Sequence, residues 1–136
     1  LCAGLNSQGS FGNGGFVGSS IPVPPTTVPG LMVAFNLFDD MGGNATVHAI
    51  LENGSLWAWG FGWIGSMGDA ACSQSSPTAL PVAGMTQNVI AVSGMYRHGC
   101  AIREGGEVLC WGYSDNGETG QVPGTQSCSP VILALP

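Results

Sequence analysis

His98-Gly99-Cys100-Ala101-Ile102-Arg103-Glu104-Gly105-Gly106-Glu107-Val108-Leu109-Cys110-Trp111-Gly112 is the stretch on which the reading of this chain turns. Two short β-prone runs, Gly99–Arg103 and Val108–Trp111, bracket a Gly-rich turn, the pattern of a β-hairpin. At a constant offset of 52 residues the pattern returns as Thr46-Val-His-Ala-Ile-Leu-Glu-Asn-Gly-Ser-Leu-Trp-Ala-Trp-Gly60. There Val47–Leu51 and Leu56–Trp59 flank Glu52-Asn53-Gly54-Ser55. Glycine is in phase with both copies. Gly4 leads to Gly9 and Gly12, Gly60 to Gly65 and Gly68, and Gly112 to Gly117 and Gly120, each as [Cys/Ala]-x-Gly-x4-Gly-x2-Gly. Val89–Val92 adds a strand, and Val33–Leu37 is its counterpart one repeat earlier. No stretch carries a sustained 3.6-residue period. A unit of about 50 residues made of small strands is the signature of a propeller blade or related β-array.

Composition agrees with a repeat better than with an ordinary soluble domain. The 136 residues include 23 Gly and 9 Pro, and only 7% are charged, against about 25% in typical domains. Arg97 and Arg103 are the whole basic complement, and the formal charge is −6. Nucleic-acid binding, which needs several Lys and Arg to displace phosphate counterions, is excluded on that count. Docking to anionic membranes is disfavoured for the same reason. No run of about 18 apolar residues is present. The chain reads as one unit over residues 1–136, with copies at about 1–55, 56–107 and 108–136. Leu1 falls inside a strand and the last copy breaks off, so a piece of a longer protein is expected.

His98-x-Cys-Ala-Ile-x-x-x-Gly-x-Val-x-Cys-Trp-Gly112, followed by Gly117, Gly120 and Pro130-Val131, resembles the repeat of the regulator of chromosome condensation family, an architecture shared with beta-lactamase inhibitor protein II. The resemblance covers nearly the whole chain and fades in the first copy, where Ala3 stands in place of Trp59 and Trp111. It implies an all-β chain, a segment of a seven-bladed β-propeller amounting to about two and a half blades, used chiefly as a protein-binding platform. The basic segments and GTPase-contacting loops of the chromosome-associated member have no recognisable counterpart, so exchange activity is not carried across.

Five cysteines bear on compartment. Cys100 and Cys110 flank one turn on opposite strands and predict a cross-strand disulfide, two buried thiols being the alternative. Cys72 and Cys128 occupy similar loop positions and would staple neighbouring blades, unless each pairs outside this segment. Cys2 is in phase with Cys110, and its partner is expected about ten residues upstream. Asn44-Ala-Thr46 and Asn53-Gly-Ser55 are N-glycosylation sequons at turns. Together these features point to an extracellular or cell-surface protein. The Ile21–Pro29 segment, with four prolines, is expected as extended polyproline-II chain.

Each chemical reading has a structural competitor. Gly60-Phe-Gly-Trp-Ile-Gly65 spells a dinucleotide fingerprint, but a Gly/Ser/Cys loop follows instead of a helix. Asp39-Asp40 reads as turn chemistry. His98, near Ser114 and Asp115, reads as a structural histidine bonding to backbone between blades, its slot filled by Thr46 one repeat earlier. No metal site, cofactor or catalytic set is expected. Trp59 and Trp111 share a phase and read as inter-blade packing. Trp57 and Trp63 have no aromatic counterparts, and Trp63 reads either as a contact anchor or as core. With Tyr113 it marks the loops that would meet a partner.

The functional expectation is a non-catalytic structural or interaction module of an extracellular, disulfide-bonded glycoprotein, self-associating or joined to neighbouring chain as in a cell-surface or flagellar fibre. The alternative is a soluble propeller gripping a protein through its blade loops.

Overall fold

The computed structural model describes residues 1–39 and 42–133. Asp40 of the acidic pair and the end of the apolar tail at 134–136 lie outside the described residues. Among the described residues the hairpins form ten strands in three antiparallel sheets. β1 (Cys2–Gly4) pairs with β2 (Ser19–Val23). β3 (Met32–Asp39), β4 (Ala45–Leu51), β5 (Leu56–Phe61) and β6 (Ser75–Pro81) form a four-stranded meander, and β7 (Val89–Met95), β8 (His98–Arg103), β9 (Val108–Ser114) and β10 (Thr125–Ile132) form a second. A 3-10 turn at Trp63–Gly65 interrupts the β5–β6 connection. Each four-stranded sheet takes two strands from the end of one sequence copy and two from the start of the next.

Prolines mark the outermost strands: Pro22 in β2, Pro77 and Pro81 in β6, Pro130 in β10. An edge strand accepts them because the missing N–H can face its unpaired side. For that reason the segment expected as polyproline-II begins instead as strand, through Ile21-Pro22-Val23. A serine bends each of these strands in the same way. Ser19, Ser76 and Ser127 donate to the carbonyls two residues on, Ile21, Thr78 and Ser129, at 2.7, 2.6 and 2.6 Å. β1 and β2 thus match the two outer strands of each four-stranded sheet, β5–β6 and β9–β10.

The main core lies between the two full sheets, with Leu56 of the first and Met67 and Val82 of its connecting segments against Val89, Ala101 and Trp111 of the second. Burying each of the larger side chains contributes about 1.5–3 kcal/mol. A smaller cluster of Val47, Ala49, Trp59 and Ala79 faces β1–β2.

The glycine period has a direct cause at these junctions. Trp59 Nε1–H donates to the Ser10 carbonyl at 2.9 Å, and Trp111 Nε1–H to the Ser66 carbonyl at 3.0 Å. Each acceptor sits inside a Gly-x-x-Gly turn of the preceding repeat. At Gly12 (φ +65°) and Gly68 (φ +70°) a Cβ would come within 2.8 and 2.9 Å of the indole nitrogen. Only glycine lets the turn close over the ring. The repeat motif is thus a clamp between successive sheets.

Candidate interaction surface

The strands run between two unlike ends. At one, β4–β5 and β8–β9 are joined by the short turns 52–55 and 104–107. At the other lie the longer connections 62–74 and 115–124 and the Tyr96-Arg97 turn. This loop end holds a cleft of ≈ 390 Å³ lined by Asp39, Met95, Tyr96, Arg97, His98, Tyr113, Asp115 and Glu118.

Arg97 organises the cleft. Its guanidinium lies 4.1 Å from the centre of the Trp63 ring and 4.4 Å from that of Tyr96, and its carbonyl accepts the Tyr113 N–H at 3.0 Å. Trp63 and Tyr113, singled out separately from the sequence, are brought to one place by this residue, which sequence reasoning passed over along with Tyr96. The only signal was that the turn between β7 and β8 carries aromatic and basic residues in a chain almost without charge. Trp63 is 40% exposed. Ile64 (φ +58°) and Tyr96 (φ +61°) are in the left-handed region, at a cost of about 1–2 kcal/mol each for such residues. Strained backbone beside half-exposed rings is characteristic of contact sites.

The polar groups are fixed too. The Tyr113 hydroxyl donates to the Asp115 carboxylate, which holds the phenol above its ordinary range as a neutral donor. Glu118 accepts from the Asn116 N–H at 2.8 Å and Asn116 Nδ2 at 3.0 Å. These bonds, the Asn116 backbone foremost, lower its pKa to about 2. Ser114, weighed as a partner for His98, is fully buried and its Oγ accepts the Thr119 N–H at 3.3 Å. His98 is half-buried and lines the cleft. In the matching slot Thr46 donates to the Phe61 carbonyl.

The imidazole buried between the sheets is His48. It stacks on Phe38 with centroids 5.1 Å apart, lies 5.3 Å from the Trp111 ring, and has Nε2 3.4 Å from the Met67 carbonyl. Burial lowers its pKa to about 4. Its repeat counterpart is Cys100, so the repeat pattern hid it.

Cys100 and Cys110 stand directly opposite on β8 and β9 and are bridged, with Cα atoms 4.1 Å apart. That is the short spacing of a non-hydrogen-bonded pair. Cys72 and Cys128 are bridged at 5.1 Å and tie the β5–β6 connection to β10. Cys2 is unbridged. Asn53 is exposed at the turn end, its Oδ1 accepting the Ser55 N–H at 3.0 Å and hydroxyl at 2.7 Å. Asn44 is half-buried before β4. The fingerprint-like Gly60–Gly65 ends in the three-residue 3-10 turn Trp63–Gly65 and not in a helix. Among the described residues no cluster of three His, Cys, Asp or Glu could hold a metal, and no helix is long and apolar enough to cross a membrane.

Known proteins resemble this chain in sequence and in fold. Residues 89–118 match the family model "Regulator of chromosome condensation (RCC1) repeat". The chain is 29% identical over 133 residues to the human E3 ubiquitin-protein ligase HERC2 and 30% identical over 119 residues to the mouse protein. These alignments cover 96% and 86% of the chain but only 3% and 2% of the relatives. Among solved structures, human WBSCR16 superposes with a TM-score of 0.75 at 16% identity, covering 96% of this chain and 32% of that one. Prp20p of Saccharomyces cerevisiae superposes with a TM-score of 0.68 at 16% identity, covering 97% and 33%. The clamped sheets and these superpositions agree on the fold of a β-propeller segment, and residues 89–118 carry a repeat of the regulator of chromosome condensation type.

Proposed function

We propose that this segment is a non-catalytic protein-interaction module whose partner surface is the loop end, centred on Trp63, Tyr96, Arg97 and Tyr113. The observation that carries the reading is the Arg97 guanidinium lying against two exposed rings, those of Trp63 and Tyr96. Trp, Tyr and Arg are the residue types that dominate binding energy at protein interfaces. Propellers of similar shape supply an analogy: yeast RCC1 (Prp20) was solved bound to Kap60, and Prp20p was studied for its binding to Gsp1p and histones. Ligase activity is a property of the whole HERC2 chain, and no part of this reading rests on it.

A photo-crosslinking residue in place of Tyr113, and another in place of Asn53 at the turn end, tests the surface in cells expressing the protein. Crosslinks to a partner from position 113, absent with Trp63→Ala, support the reading. Crosslinks confined to position 53 overturn it.

We also propose an oxidising, extracellular or cell-surface location, with glycans at Asn44 and Asn53. Two opposed cysteine pairs support the compartment, since such bridges are rare where thiols are kept reduced. Peptide mapping of the native protein without reductant is expected to recover Cys72–Cys128 and Cys100–Cys110 linked, with sugar mass on the two sequon peptides. Free thiols at all four positions would exclude it.

A further inference from the structure

We propose that Asn116-Gly117, in the β9–β10 connection at the loop end, is a site of spontaneous deamidation, where the chain converts its own Asn116 to aspartate and isoaspartate and so changes the charge of that end as the protein ages.

Three Asn-Gly pairs occur in the chain: Asn13-Gly14, Asn53-Gly54 and Asn116-Gly117. In sequence they are equivalent. Glycine has no Cβ to shield its amide nitrogen, so that nitrogen can close on the Cγ of the asparagine before it. The reaction asks two things of the fold: a glycine N–H not already committed, and an asparagine side chain with room to turn back.

Two of the pairs fail both conditions. The Gly14 N–H donates to the Pro77 carbonyl at 2.9 Å, and the Gly54 N–H to the Leu51 carbonyl at 2.8 Å. Their asparagine side chains are tied forward in the same way, Asn13 Oδ1 accepting the Gly15 N–H at 3.2 Å and Asn53 Oδ1 the Ser55 N–H at 3.0 Å. Gly54 is also hemmed in, since a Cβ there would lie 2.6 Å from the Asn88 nitrogen.

The third pair differs on each count. Among the described residues the Gly117 N–H donates to no group, although the Gly117 carbonyl accepts the Gly120 N–H at 2.9 Å. The nearest atom to a Cβ at Gly117 would be the Gln121 carbonyl oxygen, 3.8 Å away. Asn116 is exposed, and its side chain is held only through Nδ2, to Glu118 at 3.0 Å. Asp115 and Glu118 oppose proton removal from Gly117, but both face solvent, which screens them.

The steps balance without an oxidant. The Gly117 nitrogen gives up its proton and attacks Asn116 Cγ. A new N–Cγ bond closes a succinimide, the Cγ–Nδ2 bond breaks, and ammonia leaves with the two amide protons and the one from Gly117. Water then opens the ring at either carbonyl, giving aspartate or isoaspartate. An acceptor now faces Glu118 where a donor stood, and the −6 chain gains another negative charge.

The test incubates the full chain, made in a host that adds no N-glycans, at mildly alkaline pH in water enriched in oxygen-18, and maps the peptides by mass. Asn116 is expected to react about tenfold faster than Asn13 or Asn53, the rate cost of first opening one backbone and one side-chain hydrogen bond of ordinary strength. In guanidinium chloride the three should react alike. Equal rates in the folded chain, retention of all three amides there, or the same ranking after unfolding each overturns the proposal. Asn116→Asp reads the consequence: the Glu118 carboxyl, held at about 2 chiefly by its bonds from Asn116, should titrate higher by NMR. An unmoved Glu118 would mean that deamidation leaves this end of the molecule unchanged, and would overturn that part.

Discussion

The two ends of the sheets obey different rules. At the turn end the repeats are duplicated bond for bond although their residues differ. Leu51 N–H donates to the Ser55 carbonyl and Arg103 N–H to the Glu107 carbonyl, both at 2.9 Å; Gly54 and Gly106 close the two turns at 2.8 and 3.0 Å. At the loop end only the frame is duplicated, namely the Gly-x-x-Gly turn and the indole it receives. What hangs on that frame is not. Trp63-Ile64 in one copy is Asp115-Asn116 in the next, and the Tyr96-Arg97 turn has no aromatic or basic counterpart in the other copy. Duplication marks what folding needs, and departure from it marks where a partner can be recognised.

The most severe way to break this contrast is at the clamp. Trp111→Ala removes a fully buried indole and leaves the Ser66 carbonyl without its donor. A loss of about 3–5 kcal/mol is expected, read by urea denaturation against wild type. The loop-end staple comes next. Cys72–Cys128 spans 56 residues and Cys100–Cys110 spans 10. Loop-closure entropy assigns about 4 kcal/mol to the longer bridge and about 3 kcal/mol to the shorter. Paired Cys→Ser variants of each bridge, compared by denaturation, should rank in that order.

Acid sharpens the contrast further, because His48 lies beneath the loop end with Nε2 toward the Met67 carbonyl in the clamp turn. Its folded pKa of about 4 is below the unfolded value of 6.5. The unfolded chain therefore binds the proton first. Stability is complete above pH 6.5 and falls by about 3 kcal/mol as pH drops toward 4. His48→Gln should flatten that dependence, and in wild type hydrogen exchange at pH 5 should rise in Gly65–Gly68 before it rises in the 104–107 turn.

How much of this was legible in the sequence follows from the same contrast. The hairpins around Asn53-Gly54 and Gly105-Gly106 were readable because local turn chemistry determines them. The inter-sheet role of Trp59 and Trp111 was readable because a packing residue must recur with the repeat. His48 was not, since its counterpart is Cys100 and a period reveals only what it repeats. Arg97 was not, since its meaning lies in two rings, Trp63 and Tyr96, that come together only when neighbouring sheets stack. Repetition exposes a scaffold and conceals the site built on it.

The smallest effect on folding is expected where the largest effect on binding is proposed. Trp63 is half-exposed, stands outside both core clusters, and has Arg97 as its cationic neighbour. A cation–π contact at such a site is worth about 0.5–1 kcal/mol. Trp63→Ala should therefore shift the denaturation midpoint only slightly, while Trp111→Ala, the same change one sheet away, should unfold the segment at much lower urea. A shift for Trp63→Ala as large as that for Trp111→Ala would make Trp63 part of the scaffold and remove the reason to see the loop end as a binding surface. A small shift together with loss of the crosslink from position 113 would separate the two jobs that tryptophan performs in one repeat architecture: a ring locked under glycine to hold sheets together, and a ring left at the surface to meet another protein.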